Sequence, residues 1–263
     1  MSEAVPAPRA LGRLWHAALD ILYPRVCQGC QTPLPAKAPR SGAEAWLCTT
    51  CRGELIQIEA PYCSVCGEPY DGAMTRAFRC KNCDGRRSAF DFAVSGYKAE
   101  GPLREMILRY KYGRDLSLRA GLTDMLRGAL NDPRLAAEDL TQWLLVPVPL
   151  HVTRRMWRGF NQSWELCRLL SQQTGIPAAQ ILRRPARTDA QARMHRTKRL
   201  KNLKHAFSLQ RPLPWRRAPD VRGKCVLLVD DVLTTGATAH ECAKVLKDHA
   251  GVEKVVVITA ARG

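Results

Sequence analysis

Eight of the eleven cysteines fall into four C-x-x-C pairs: Cys27/Cys30, Cys48/Cys51, Cys63/Cys66 and Cys80/Cys83. The gaps between pairs are 17, 11 and 13 residues. Each C-x-x-C turn offers two thiolates, and two such turns complete a tetrahedral metal site. The spacing therefore predicts two structural Zn2+ sites, built as a double zinc ribbon with the pairs taken in sequence. A cross-braced pairing stays open. A disulfide framework would need an oxidising compartment, and nothing in the N-terminal sequence indicates secretion. Four regular pairs also do not look like one reactive dithiol. This region has too few apolar side chains for a core of its own, so metal binding would supply its fold, on the order of 10 kcal/mol per site. Gly29 and Gly67 stand in or just after their knuckles, where a positive φ is often required. Cys167, Cys225 and Cys242 stand alone on helix or strand patterns and read as small buried hydrophobes.

With 263 residues, the chain has room for one ordinary α/β domain beside this small module. We expect a boundary near residue 88, with an N-terminal helix and double zinc ribbon over 1–88 and a second domain over 89–263. In the second part strand and helix patterns alternate. "AFDFAVSGY", "WLLVPVPL", "VRGKCVLLVD" and "EKVVVITAA" read as strands. "GPLREMILRYKYG", residues 116 to 130 and the stretch from Asn161 read as helices, the last with Trp164, Cys167 and Leu170 inward. Such alternation predicts a parallel sheet covered by helices. No apolar run reaches the roughly 18 residues of a membrane span. The first 25 residues lack a long apolar core and a convincing cleavage site, so a cytoplasmic location is expected. Leu11, Leu14, Trp15, Ala18 and Leu22 make a helical stripe suited to packing.

One stretch carries the chemistry: "VLLVDDVLTTGAT", Val226 to Thr238. Val226 to Val229 is a continuous apolar run, as in a central parallel strand. After the turn, Ala239, Cys242, Ala243 and Leu246 recur at helical spacing. The pattern is strand, turn, helix, with the strand expected to end on the acidic pair. Ligands of open α/β sheets sit at the carboxyl ends of strands, and free N–H groups at a helix start attract anions. Gly236 lets the backbone approach closely, and Thr234, Thr235 and Thr238 offer hydroxyls. Carboxylates repel a bare phosphate, so Asp230 and Asp231 call for a ligand with hydroxyls or a cation beside its phosphate. A ribose 5-phosphate has that layout. The Gly-Lys-Ser/Thr of a Walker loop is missing.

Two further stretches suit anions. "PVPLHVTRRMWRGFNQ" follows a predicted strand and carries Arg154, Arg155 and Arg158, whose planar forks match phosphate oxygens. Residues 183 to 204 hold nine Lys or Arg against one acid, Asp189, within a chain of net charge +17. A balance of that kind favours polyanionic partners. The run could also track a nucleic-acid backbone, with Trp157, Phe160, Phe207 or Trp215 as stacking partners.

The motif at Val226–Thr238 resembles the phosphoribosyl pyrophosphate (PRPP) motif of type I phosphoribosyltransferases. The wider chain resembles the ComF competence-protein family, through the cysteine-rich N-terminus, "YKYGRDLSLRAGL" and "VPVPLHVTRRMWRGFNQS". The resemblance implies a type I phosphoribosyltransferase-like α/β fold with a parallel sheet and a small N-terminal zinc-ribbon domain. It implies Asp230 and Asp231 as the acidic pair facing ribose, with Thr234, Thr235, Gly236, Ala237 and Thr238 around the 5-phosphate. It adds Arg155, Arg158, Asn161 and Gln162 from the "R-x-x-RGFNQ" signature. From the basic run it takes Gln191, Arg196 and Asn202, where such folds carry a lid. The implied ligands are PRPP with Mg2+ and single-stranded DNA, with partners among the competence machinery, in DNA uptake and natural transformation. Two readings remain open here. One is a true phosphoribosyl transfer, including the alternative of a nucleobase or amine phosphoribosyltransferase of nucleotide salvage with no DNA role. The other uses the same pocket to sense PRPP in a protein that handles DNA.

Overall fold

The computed structural model describes residues 25–35, 39, 42–70, 72, 78–185, 206–210 and 219–263. The expected stripe over residues 11–22, and Gln191, Arg196, Asn202 and Trp215, lie outside the described residues.

Two short helices, α1 (Ala43–Trp46) and α2 (Thr49–Gly53), belong to the cysteine-rich part. The sheet begins at β1 (Phe92–Lys98). Helices α3 (Gly101–Tyr112) and α4 (Arg119–Ala129) follow, then β2 (Leu144–Pro147), α5 (Val152–Arg158) and α6 (Gln162–Thr174). A small ladder, β3 (Leu182–Arg183) with β4 (Ser208–Leu209), precedes β5 (Cys225–Leu233), α7 (Ala237–Ala250) and β6 (Lys254–Arg262). The four long strands form one parallel sheet in the order β1-β6-β5-β2. The expected fold class is thus the observed one.

Alternate strand residues feed two separate cores. Val94, Leu145, Leu227, Val229, Val256 and Ile258 pack with α3, α4 and α6. Ala93, Leu144, Val146, Val226, Leu228, Val255 and Val257 pack with α7. This is the two-residue period of a strand buried on both faces. The helices answer it at their own period. In α3, Leu103, Met106, Ile107 and Tyr110 are buried. In α7 the buried set is Ala239, Cys242, Ala243, Val245 and Leu246, which contains the expected stripe. Gly175 and Gly251 close α6 and α7 at φ 76° and 68°, where any other residue would be strained.

Two elements differ from the sequence reading. First, β5 does not end at the acidic pair but runs on to Leu233. The reason is β6, which continues beside it and pairs Asp230 with Thr259 and Leu233 with Arg262. On its other side β5 loses its neighbour when β2 stops at Pro147. The acidic pair thus stands where one edge of a central strand opens. Second, the arginine-bearing stretch after β2, to which the sequence reading assigned no element, is helical: residues 152–158 form about two turns, ended by Gly159 at φ 82°.

The cysteine-rich part is packed into both cores. Cys27, Leu47 and Cys51 join the α3–α4 side, and Cys63 and Cys66 join the α7 side. Trp46 donates its indole N–H to Asp124 at 2.7 Å. Segment 56–58 runs along the free edge of β1, with Ile58 N–H to Gly96 O at 2.9 Å and Lys98 N–H to Ile56 O at 2.8 Å.

Candidate functional site

The sulfurs of Cys27, Cys30, Cys48 and Cys51 gather in one cluster, and those of Cys63, Cys66, Cys80 and Cys83 in another, each within 4.8 Å. The pairing is sequential, as expected. Zn–S bonds of about 2.3 Å at tetrahedral angles place sulfurs about 3.8 Å apart. Cys30 and Cys48 are 3.8 Å apart, and Cys66 and Cys80 are 3.5 Å apart. Backbone N–H groups of Cys48 and Cys80 point at the sulfurs of Cys27 and Cys63, each at 3.3 Å. Such donors stabilise thiolate over thiol. Both clusters fit structural zinc.

At the open edge of β5 lies a cavity of about 290 Å³. Its walls come from α3, α5, α6 and the start of α7, from β5, and from the loop after β2. Lys111 closes α3 and places its ammonium 2.9 Å from a carboxylate oxygen of Asp231, which is buried. Ser163, in the first turn of α6, donates its hydroxyl to Asp230 at 3.0 Å. The Asp231 N–H donates to the same oxygen at 3.0 Å. Arg158 and Gln162 are buried in the wall, and Arg158 Nε and Gln162 Nε2 have no hydrogen-bond partner among the described residues. Asn161 also lines the cavity and donates to Val148 O at 3.3 Å, tying α6 to the loop after β2. Arg154 and Arg184 complete the rim. Four cations thus face two carboxylates, and two buried donors await acceptors. A ligand with several anionic oxygens and some hydroxyls satisfies that set.

The turn after β5 adds a pocket of about 50 Å³, bounded by Asp230, Val232 to Ala239 and Val257. Gly236 caps α7 in the left-handed region at φ 71° and brings no side chain of its own, while Thr235 Oγ1 accepts from the Ala237 N–H at 3.4 Å. Thr234 and Thr235 are exposed, Ala237 opens the helix, and Thr238 faces the larger cavity. Behind the same turn is another cavity, about 400 Å³, walled by the second ribbon through Arg86 and Arg87 and by Arg262.

The structure thus brings Asp230, Asp231, Thr234, Thr238, Arg158, Asn161 and Gln162 to one cavity. Arg155 is exposed on α5 and is not part of its lining; Arg154 takes that place. Lys111 and Ser163 were missed as site residues. Both lie inside stretches already singled out, "YKYGRD" and "RGFNQS".

Burial and the charge of Asp231 push the Asp230 carboxyl up to about 7, against the pull of Lys111 and of its two hydrogen bonds. A carboxyl whose native pKa exceeds its unfolded value favours folding while protonated. The contribution of Asp230 is full below about pH 4 and falls as pH rises to about 7. Melting temperature measured against pH should therefore decline less steeply over that window in Asp230→Asn than in the wild type. Parallel curves would mean that Asp230 ionises normally.

A doubly wound parallel sheet, an acidic pair on an open strand edge and a glycine-capped helix start beyond a Thr-Thr-Gly turn define a phosphoribosyltransferase-type domain, joined here to a double zinc ribbon. The comparisons agree. The double zinc ribbon domain family matches residues 18–84, and the phosphoribosyl transferase domain family matches residues 162–263. Competence protein F of Haemophilus influenzae is 32% identical over 225 residues, which cover 84% of this chain and 92% of that protein. The DNA utilization protein YhgH of Salmonella typhimurium is 29% identical over 228 residues, covering 86% and 92%. Competence protein ComFC of Bacillus subtilis is 24% identical over 222 residues, covering 82% and 84%. The chain belongs to the competence protein F family. No helix among the described residues is long and apolar enough to cross a membrane.

Proposed function

We propose that this chain binds PRPP with Mg2+ in the cavity at the end of β5, binds single-stranded DNA on its basic surface, and acts in DNA uptake and natural transformation on the cytoplasmic side. One observation carries the ligand. The buried Asp230–Asp231 pair, held by Ser163 and Lys111, stands between the glycine-capped start of α7 and unpartnered Arg158 Nε and Gln162 Nε2. In this reading the 5-phosphate lies against the Thr234–Thr238 turn. The ribose hydroxyls donate to Asp230 and Asp231. The diphosphate lies toward Arg158, Gln162 and Arg154, with Gln191 and Arg196 assigned to the same ligand from the sequence. Mg2+, bound with the diphosphate, supplies charge neutralisation as the leaving group departs. In a transfer, an acceptor nitrogen bonds to C1 as the C1–oxygen bond to diphosphate breaks. The two carboxylates would then stabilise positive charge on the ribose. The acidic pair is intact, which favours a working pocket. The DNA role rests on the net charge of +17 and on the DNA-related names of the relatives.

The test is to incubate the protein with PRPP, Mg2+ and a panel of nucleobases, amines and oligonucleotides, and to follow pyrophosphate release. Release with a free base but no binding of DNA would favour a salvage phosphoribosyltransferase. PRPP binding without release would favour a sensor. No PRPP binding would reject the assignment. Affinity for single-stranded DNA should fall with salt, at a log–log slope of about −0.7 per phosphate neutralised. Changing Arg196, Lys198, Arg199 and Lys201 to Ala should make that slope shallower. Changing Arg9, Arg52, Arg127 and Lys247 should not; equal losses would reduce the run to part of a diffuse field.

A further inference from the structure

Among the described residues, five of the eight large exposed hydrophobic side chains fall on two stretches. Tyr112 and Leu116 stand at the end of α3 and just beyond it, and Val152, Met156 and Trp157 on α5. Met156 is 80% exposed, Tyr112 60% and Trp157 50%. The two stretches meet, since the rings of Tyr112 and Trp157 are 6.5 Å apart. Cations lie over both rings. The Arg114 guanidinium is 5.0 Å from the centre of Trp157, and that of Arg158 is 5.2 Å from Tyr112. Arg154 and Arg155 are exposed on the same short helix. Tyr112, Arg154 and Arg158 also line the cavity beside Asp230 and Asp231, so the patch is its outer lip.

From this we infer that the α3–α5 face is a stacking platform for the bases of single-stranded nucleic acid, with its strand leading to the mouth of the cavity. Alternating exposed rings and arginines meet the two needs of such a strand. Bases stack on aromatic faces, whatever their sequence, and phosphates pair with arginine forks. An apolar protein partner would have to bury Arg114, Arg154 and Arg155 without acids to match. A duplex hides its base faces and could use only the charge. The inference rests on the proposed DNA role. It assigns the bases to Trp157, whereas the basic run at 183–204 would serve the backbone.

The experiment compares a labelled oligothymidylate with an abasic strand of equal length, each titrated by fluorescence anisotropy into the full chain. Trp157→Ala and Trp157→Phe are measured beside the wild type. Trp157 is half exposed and lines no part of the cavity, so circular dichroism and melting should be unchanged. Trp157→Ala should weaken oligothymidylate binding about tenfold, as expected for one lost base–aromatic stack. Abasic binding should be unchanged, and Trp157→Phe should restore most of the affinity. Oligothymidylate binding unaltered in Trp157→Ala would overturn the platform while leaving the DNA role standing. Equal weakening on both strands would overturn it too, because only charge would then be at work. A wild type that binds neither strand would remove the DNA role itself. Loss of self-association in Trp157→Ala, with DNA affinity unchanged, would make the face a protein contact.

Discussion

Stripping zinc, or replacing Cys66 with Ser, is expected to melt the whole chain in a single transition well below that of the zinc-bound wild type. A structural zinc site is worth on the order of 10 kcal/mol, comparable to the whole stability of a typical domain, about 5–15 kcal/mol. A detached module would lose that energy alone. Here Cys63 and Cys66 lie in the same core as Phe90, Ala93, Val257 and Leu246, and Cys27 and Cys51 in the same core as Leu103, Met106 and Leu122. Arg262 joins the second metal cluster to the ligand turn. It reaches Cys66 Sγ at 3.8 Å, pairs with Glu68, and donates to Leu233 O at 3.0 Å, one residue before Thr234. Val65 O accepts from Ala93 N–H of β1 at 2.8 Å. Loss of the second site should therefore loosen the turn around Gly236 as well as β1. Elemental analysis should give two zinc per chain. Calorimetry of the Cys66→Ser protein should show one lowered transition. Two transitions, with the later one at the wild-type temperature, would mean that residues 89–263 fold without the ribbons.

Much of this architecture was legible because it is written in local periods. Four C-x-x-C pairs point to two metal sites before any fold is known, though not to which pairs share a site. The spacing of Ala239, Cys242, Ala243 and Leu246 fixes the inner face of α7, and unbroken runs such as Val226–Val229 mark strands covered on both sides. What was not legible depends on neighbours distant in the chain. The end of β5 is set by how far β6 continues beside it, and no residue of β5 announces that. The apolar residues of helix α5, Val152, Met156 and Trp157, face outward, so no inward stripe marks "HVTRRMWRG" as a helix. Lys111 at the end of an amphipathic helix reads as one more solvated charge. Only the tertiary fold, which sets the end of α3 beside β5, brings it to Asp231. Arg154 and Arg155 are equivalent in sequence, and helical rotation alone decides which one faces the cavity.

The double substitution Asp230→Asn with Asp231→Asn is expected to cut affinity for PRPP–Mg2+ at least a hundredfold while leaving the protein folded. Asparagine keeps the shape of aspartate and still offers one oxygen to the Ser163 hydroxyl and the Lys111 ammonium. It also removes a buried carboxyl that ionises reluctantly, so melting of the ligand-free protein at neutral pH should not fall by much. The lost charge is felt by the ligand. Each hydrogen bond to a charged acceptor is worth about 1.5–3 kcal/mol, and about 3 kcal/mol from two of them is roughly a hundredfold. Inorganic phosphate supplies the contrast, because it needs only the Thr234–Thr238 turn and the helix start. Its affinity should be kept or raised, since two nearby negative charges have gone. Gly236→Val should do the reverse. At φ 71° a β-branched residue strains the backbone, and distortion of the turn should weaken phosphate and PRPP together. Calorimetric titration of both ligands into the three proteins separates the roles. A double variant that binds PRPP as tightly as the wild type would show that the ribose lies away from the acidic pair. Loss of phosphate and PRPP alike in that variant would instead mean that the carboxylates hold the turn in shape and do not touch the ligand.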